Sequence, residues 1–219
     1  INIQMMMGWA AGSAPTRLWS MRRNQTISLI QVHAEGEVGR IITAGVPVPP
    51  GRTMAERAGY LEREADHIRR LCLFEPRGSA AMSVNLITPP LEPAADIGLI
   101  IMESTDYPAM SGSNAMCTVT AVLETGILTM HEPKTIVVLD TPAGLVTATA
   151  TCRDGKVERV SLESVPCFVE RLDAELEVPG LGLITVDVAY SGAYFALVDA
   201  SKLGISLTPS NARALVELG

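Results

Sequence analysis

The chain has 219 residues, with 17 Lys and Arg against 24 Asp and Glu, a formal charge of −7; 47% of it is hydrophobic, 19% charged and only 4% aromatic. That length admits one large domain or two small ones, and the apolar share suits a chain that buries a sizeable core rather than a disordered one. An acidic chain poor in aromatics lacks the electrostatic footprint of a nucleic-acid binder, and no uncharged run approaches the ~20 mostly apolar residues of a membrane span, so both classes are excluded.

In chain order, residues 1–20 read as a leader outside the fold: they are uncharged as far as Thr16, without the basic start or clean apolar stretch of a signal peptide. Thr26–Val32 and Arg40–Gly45 read as strands flanking the Gly-containing connection His33–Glu37. The turn-rich Pro47–Gly51 stops any helix or central strand. Thr53 and Glu56 then make a T-x-x-E capping box, and Leu61, Ala65, Ile68 and Cys72 recur at spacings of 4, 3 and 4, which predicts one helix. Asp66 and Arg70 form an i,i+4 pair on its polar side, and His67 reads as a partly exposed helix residue.

Ile97–Met102 is an apolar run of buried-strand length that leads into the turn formers of Ser104–Asn114. A second helix follows, with Ser113 or Asn114 as N-cap, Ala115, Val119, Val122 and Leu123 on one stripe, and Gly126 as the stop. A polar loop feeding a helix N-terminus is a natural anion and nucleophile site. From Thr135 the character changes to strands: Ile136–Leu139, then Leu145–Cys152 with Val146, Ala148, Ala150 and Cys152 alternating against threonines. Asp154-Gly155 signals a two-residue hairpin, with Val157–Leu162 as the returning strand. Further strands fit Val165–Val169, Ile184–Val188 and Tyr194–Val198, and a final helix opens at Thr208-Pro209. The pattern is α+β, with antiparallel strands, few helices and a boundary near Asp140–Leu145 that divides 21–143 from 144–219.

The chemistry-bearing residues are sparse. Cys72, Cys117, Cys152 and Cys167 contain no CxxC pair, and His33, His67 and His131 lie far apart, so zinc-site spacings are missing and no metal is expected. No nucleotide loop is present either, so no cofactor is expected. Cysteines in a core-rich chain of this size fit a reduced, cytoplasmic setting.

Five strings carry a resemblance. His33-Ala34-Glu35-Gly36-Glu37-Val38-Gly39-Arg40, Phe74-Glu75-Pro76-Arg77-Gly78, the stretch from Asp106 to Asn114, Asp140-Thr141-Pro142-Ala143-Gly144-Leu145-Val146, and the stretch from Ala189 to Ala196 occur in that order. They resemble the MHTAGEPxR, EPRG, GYxxMCGHG, TPAGLV and xYGGNFYA strings of the proline racemase family. The resemblance implies two similar α/β halves of mainly antiparallel strands packed on helices, as in diaminopimelate epimerase, with the active site in a cleft between them. It also implies a cofactor-independent racemase or epimerase of proline or hydroxyproline, a small-molecule substrate, and a homodimer. In this family one acid/base in each half faces the substrate Cα, and one deprotonates as the other reprotonates. Ser111 falls where the family carries its first catalytic Cys, which makes it the catalytic candidate. Gly112, Ser113 and Asn114 are the substrate-binding candidates, Ser113 standing at the position of the following His; Ser79 replaces the His that commonly follows EPRG.

The physical logic stands beside the resemblance. An amino-acid α-proton is weakly acidic, so its base must be close and oriented, and inversion needs groups on opposite faces. Helix N-terminal N–H groups hold a carboxylate and favour negative charge. A serine hydroxyl is a poor base unless a neighbour activates it. The competing reading of Ser111 is a hydroxyl that merely satisfies backbone N–H groups. Cys72, Cys117 and Cys152 read as core residues. Glu75 and Arg77 fit either an ion pair or support of the site. Gly112 and Gly192 read as close-approach or positive-φ positions, and Asn114 as a helix cap or a donor to a carboxylate. The family's second string, DRSPCGTG-like and bearing the opposing acid/base, does not occur in these 219 residues; in the family order it follows Gly219. The second half is therefore expected to be incomplete, and the chain alone is expected not to invert its substrate. The alternatives are a trans-3-hydroxy-L-proline dehydratase and a non-catalytic amino-acid-binding paralogue.

Overall fold

The computed structural model describes residues 26–219, so the leader expected over residues 1–20 lies outside them. The chain forms two compact units that divide at Val165 and Pro166. The strands on either side of residue 143 hydrogen-bond along Lys134–Thr141 and Gly144–Arg153 and lie in one sheet.

The first unit is built on a seven-stranded sheet in chain order: β1 (Ser28–Ala34), β2 (Glu37–Ala44), β3 (Met82–Thr88), β4 (Ile97–Met102), β5 (Lys134–Thr141), β6 (Gly144–Arg153) and β7 (Lys156–Glu163). β1–β2 and β6–β7 are hairpins. Their two-residue turns, Glu35-Gly36 and Asp154-Gly155, have positive φ at both positions, which suits the twist of the strands they join. β2–β3 and β4–β5 pair in parallel, a departure from the antiparallel pattern expected. Parallel neighbours need crossovers. α1 (Met54–Glu64) and α2 (His67–Leu73) make the first, and α3 (Gly112–Glu124) the second.

These crossovers cover opposite faces. Ile42, Val84, Leu86, Ile100 and Met102 pack with Met54, Leu61, Ile68 and Cys72 of α1 and α2, whereas Val32 and Ile41 pack with Cys117 and Ala121 of α3. Adjacent residues of a strand point to opposite faces, so Ile41 and Ile42 separate the two layers. β4 lies between them, and Leu99, Ile100, Ile101 and Met102 are all fully buried. A strand covered on both faces reads as a continuous apolar run.

The single helix expected over residues 53–72 is two. The stripe Leu61, Ala65, Ile68 and Cys72 is buried as expected, but Ala65 caps α1 at φ −135° and ψ 24°, and a new helix starts at His67. The break frees Asp66 to bond Arg69, its i+3 neighbour, and Tyr107, in place of the expected pair with Arg70. Arg70 lies over the Phe74 ring. Half of the capping box forms: Thr53 Oγ1 accepts from Glu56 N at 3.1 Å, while the Glu56 carboxylate accepts at 2.7 Å from Arg52 N, one residue before the cap, and not from Thr53 N. Arg77 donates to the Leu71 carbonyl and Arg40 to the Cys72 and Arg77 carbonyls, so the Phe74–Gly78 string closes the end of α2.

The second unit holds a three-stranded antiparallel sheet in the order β10 (Tyr194–Leu197), β9 (Gly182–Tyr190), β8 (Phe168–Val178). Gly192 sits at φ 98° in the tight connection between β9 and β10, as expected. The final helix begins later than Thr208: Pro209–Asn211 is a 3₁₀ turn, and α4 spans Ala212–Leu218. No helix among the described residues is long and apolar enough to cross a membrane.

Candidate functional site

α3 is capped two or three residues earlier than expected from Ser113 or Asn114. Gly112 is its first residue and Ser111 its N-cap, in extended backbone at φ −143° and ψ 127°; Ala115 N closes the first turn on the Ser111 carbonyl at 3.0 Å. A serine at this position normally turns its hydroxyl onto an N–H of the first turn. Ser111 does not. Its Oγ accepts instead from Asn114 Nδ2 at 3.0 Å, so the competing reading of a simple capping hydroxyl fails. The opening N–H groups of the helix, at Gly112, Ser113 and Asn114, precede the first intrahelical bond and are donors without an intrahelical acceptor.

Asn114 is buried, and its amide is fully engaged. Oδ1 accepts from Ser83 Oγ and from Asn85 Nδ2, the latter at 2.8 Å, while Nδ2 donates to Ser111 Oγ and, at 3.3 Å, to Glu103 Oε1. Two donors and two acceptor sites exhaust a carboxamide. Asn114 therefore makes no capping bond, and the carboxylate it serves is that of Glu103. Ser113 is half-buried and Gly112 exposed. A Cβ built on Gly112 meets only Leu162 Cδ1, at 3.9 Å, and φ there is not positive, so the conformational demand expected of this glycine is absent. Gly39 is the close-approach position: a Cβ there would lie 2.9 Å from Cys117 Cβ, which shows how tightly α3 sits on β2.

Glu103 follows β4 directly. Burial raises its carboxyl above the ordinary range, and the nearby charges of Asp106 and Glu37 add to that. Glu37, Ser83, Glu103 and Ser104 line an open cleft of about 160 Å³ with Ala80, Ala81 and Met82. The loop carrying Glu103 is tied down from α2. Arg69 donates to the Glu103 carbonyl at 3.1 Å and to the Ser104 carbonyl, and the Tyr107 hydroxyl donates to Asp66 at 3.0 Å.

Cys117 lies one and a half turns along α3 and is buried; burial pushes its thiol up to about 11, so it is no thiolate near neutrality. Burial raises the Cys72 thiol as well. Both are core residues, as expected. Among the described residues no group of three or more His, Cys, Asp or Glu could hold a metal ion.

Glu103, Ser83 and Asn85 were not among the residues singled out from the sequence. A signal was present: Glu103 is the first charged residue after the six buried residues of β4, and Ser83 and Asn85 alternate at the strand period with the apolar Met82, Val84 and Leu86 of β3.

A family profile described as proline racemase matches residues 29–219. Over 201 residues the chain is 47% identical to a 4-hydroxyproline 2-epimerase of Rhizobium etli, a match that covers 91% of this chain and 58% of that protein. Two crystal structures are similar. A hydroxyproline epimerase from Agrobacterium vitis with bound trans-4-hydroxy-L-proline superposes with a TM-score of 0.83 at 44% identity, covering 90% of this chain and 58% of that one. A probable proline racemase from Agrobacterium radiobacter K84 with bound carbonate gives 0.82 at 46% identity, covering 89% and 58%. The chain thus spans 58% of the length of each.

Proposed function

Because the chain belongs to the proline racemase family, we propose that it carries the Ser111 face of a cofactor-independent epimerase of 4-hydroxyproline, acting by proton transfer at Cα. The observation that carries this reading is the N-terminus of α3, where the hydroxyl expected to cap the helix is held away from the backbone by Asn114. The helix amides remain available to an anion, and the Ser111 oxygen stands at their edge. The likeness to a structure with bound trans-4-hydroxy-L-proline supports the choice of substrate.

The chemistry follows from this arrangement. The substrate carboxylate sits on the N–H groups of Gly112, Ser113 and Asn114, where the helix terminus favours negative charge. The same donors stabilise the charge that spreads from Cα into the carboxylate as the α-proton leaves. Ser111 exchanges a proton with Cα on one face, and an acid/base on the opposite face completes the inversion. Gly112 presents no side chain, which lets the carboxylate approach the amides.

The test is polarimetry with trans-4-hydroxy-L-proline, together with Cα–H exchange in deuterated water, on the protein as its gene encodes it. Ser111→Ala abolishes inversion while pyrrole-2-carboxylate, a planar mimic of the deprotonated substrate, still binds. Undiminished turnover in Ser111→Ala would overturn the reading.

A further inference from the structure

We propose that Glu103 and Asn114 act as a positioning pair that locks the Ser111 hydroxyl into its proton-donating orientation; this rests on the role proposed for Ser111. The Asn114 amide has two ends, and the Glu103 carboxylate beside one of them sets which way it turns. On one side Asn85 Nδ2 donates to Oδ1 at 2.8 Å; on the other Nδ2 donates to Glu103 Oε1 at 3.3 Å and to Ser111 Oγ at 3.0 Å. Turned by half a rotation, the amide would set its oxygen against the Glu103 carboxylate and its NH₂ against that of Asn85. Two acceptors would then face each other in a site where Asn114 is only 1% exposed; Asn85, whose own buried Oδ1 has no partner, could turn with it, so the Glu103 carboxylate is the fixed element. Leaving buried groups of that kind unpaired is costly.

The lock sets what Ser111 does. Its oxygen receives the Asn114 N–H, so its own hydrogen is free to point at a ligand. When that proton moves to the carbanionic Cα, the carbanion's electron pair forms the new C–H bond. The O–H electron pair stays on Oγ, where the Asn114 N–H and the α3 terminus hold the charge. Removing the proton from Cα on this face is the same step reversed, and the same N–H is released from the charge it held.

Glu103 ties this lock to pH. Ionised, its oxygens only accept, and the amide must turn its NH₂ toward them; protonated, the carboxyl offers a donor and the preference weakens. The charged groups that face it are Glu37 from β2 and Asp106 from its own loop, while Arg69 from α2 reaches only its backbone carbonyl.

Glu103→Gln tests the pair, since it keeps the shape and the fold but offers Asn114 a donor NH₂ as well as an acceptor oxygen, so it no longer dictates which way the amide turns. The kcat falls by about tenfold or more while KM and pyrrole-2-carboxylate affinity hold, the mark of an interaction made in the transition state. The acid limb of the kcat–pH profile, which reports a carboxyl titrating above the ordinary range, disappears in the same variant. Asn114→Ala loses the N–H outright and about 10²-fold in kcat. Wild-type kcat with the acid limb intact in Glu103→Gln overturns the pair, and so does a parallel loss of melting temperature, KM and kcat with the limb retained. If Ser111→Ala is inactive while Glu103→Gln behaves as wild type, only the pair is refuted; turnover in Ser111→Ala refutes the proposed function itself.

Discussion

Gly112→Ala separates a glycine required by the ligand from one required by the fold. A Cβ at residue 112 meets a single side-chain atom, Leu162 Cδ1 at 3.9 Å, which is ordinary van der Waals contact, and the backbone there is one that alanine adopts freely. The unfolded chain loses conformational freedom, so the variant is as stable as the parent or gains up to about 1 kcal/mol. The same methyl stands beside the α3 amides assigned to the substrate carboxylate. Hydrogen bonds to a charged group contribute about 1.5–3 kcal/mol each, so displacing one weakens binding by roughly 10- to 100-fold. Thermal unfolding reads the first quantity and titration with pyrrole-2-carboxylate the second. A variant that binds as tightly as the parent would show that the carboxylate does not sit on this helix terminus.

Gly39→Ala gives the opposite pairing of effects: its Cβ lies 2.9 Å from Cys117 Cβ and 3.1 Å from Sγ, so α3 must move off β2. Overpacking of this kind costs about 1–3 kcal/mol, read from urea denaturation, and Cys117→Gly in the same background recovers part of it. Thr53→Ala removes the oxygen that accepts from Glu56 N and lowers unfolding free energy by about 1 kcal/mol. Asp66 is held below its ordinary 3.8 first by the hydrogen bond from Arg69, so its contribution is fully present above that value and is lost as pH falls through the lower folded-state value. The stability gap between the parent and Asp66→Asn is therefore constant near neutrality and closes below about pH 4; a gap that persists in acid would refute the assignment.

What could be read from the sequence was whatever local periodicity determines. The alternation of Val146, Ala148, Ala150 and Cys152 in β6, the apolar run of β4 and the Thr53–Glu56 cap needed only neighbours in sequence, and each is found in the structure. Where the reading failed, a distant partner decided. The predicted helix breaks at Ala65, and at the break Asp66 bonds Tyr107, 41 residues away, which no local periodicity announces. The position of Ser111 was legible, but its supporting network was not. Ser83, Asn85 and Glu103 come from two other strands and their ends, and nothing within a few residues of Ser111 announces them.

The N-termini of α1 and α3, taken together, support the proposed reading of Ser111 as part of a site. Thr53 obeys the rule for its position: extended backbone, with a hydroxyl that accepts from the amide three residues on. Ser111 has the same extended backbone and the same relation to its helix, yet its oxygen is turned to a side chain and the first amides of α3 are left open. Forgoing a capping bond loses about 1 kcal/mol of stability. Asn114 adds to that loss by sitting inside the first turn with four side-chain partners, a buried polar network where an apolar residue would pack more simply. A chain breaks a local rule and buries such a network where function demands it. On the function proposed above, the demand is for a hydroxyl free of the backbone beside the first amides of α3, which is what a carboxylate-bearing carbon acid requires of one face.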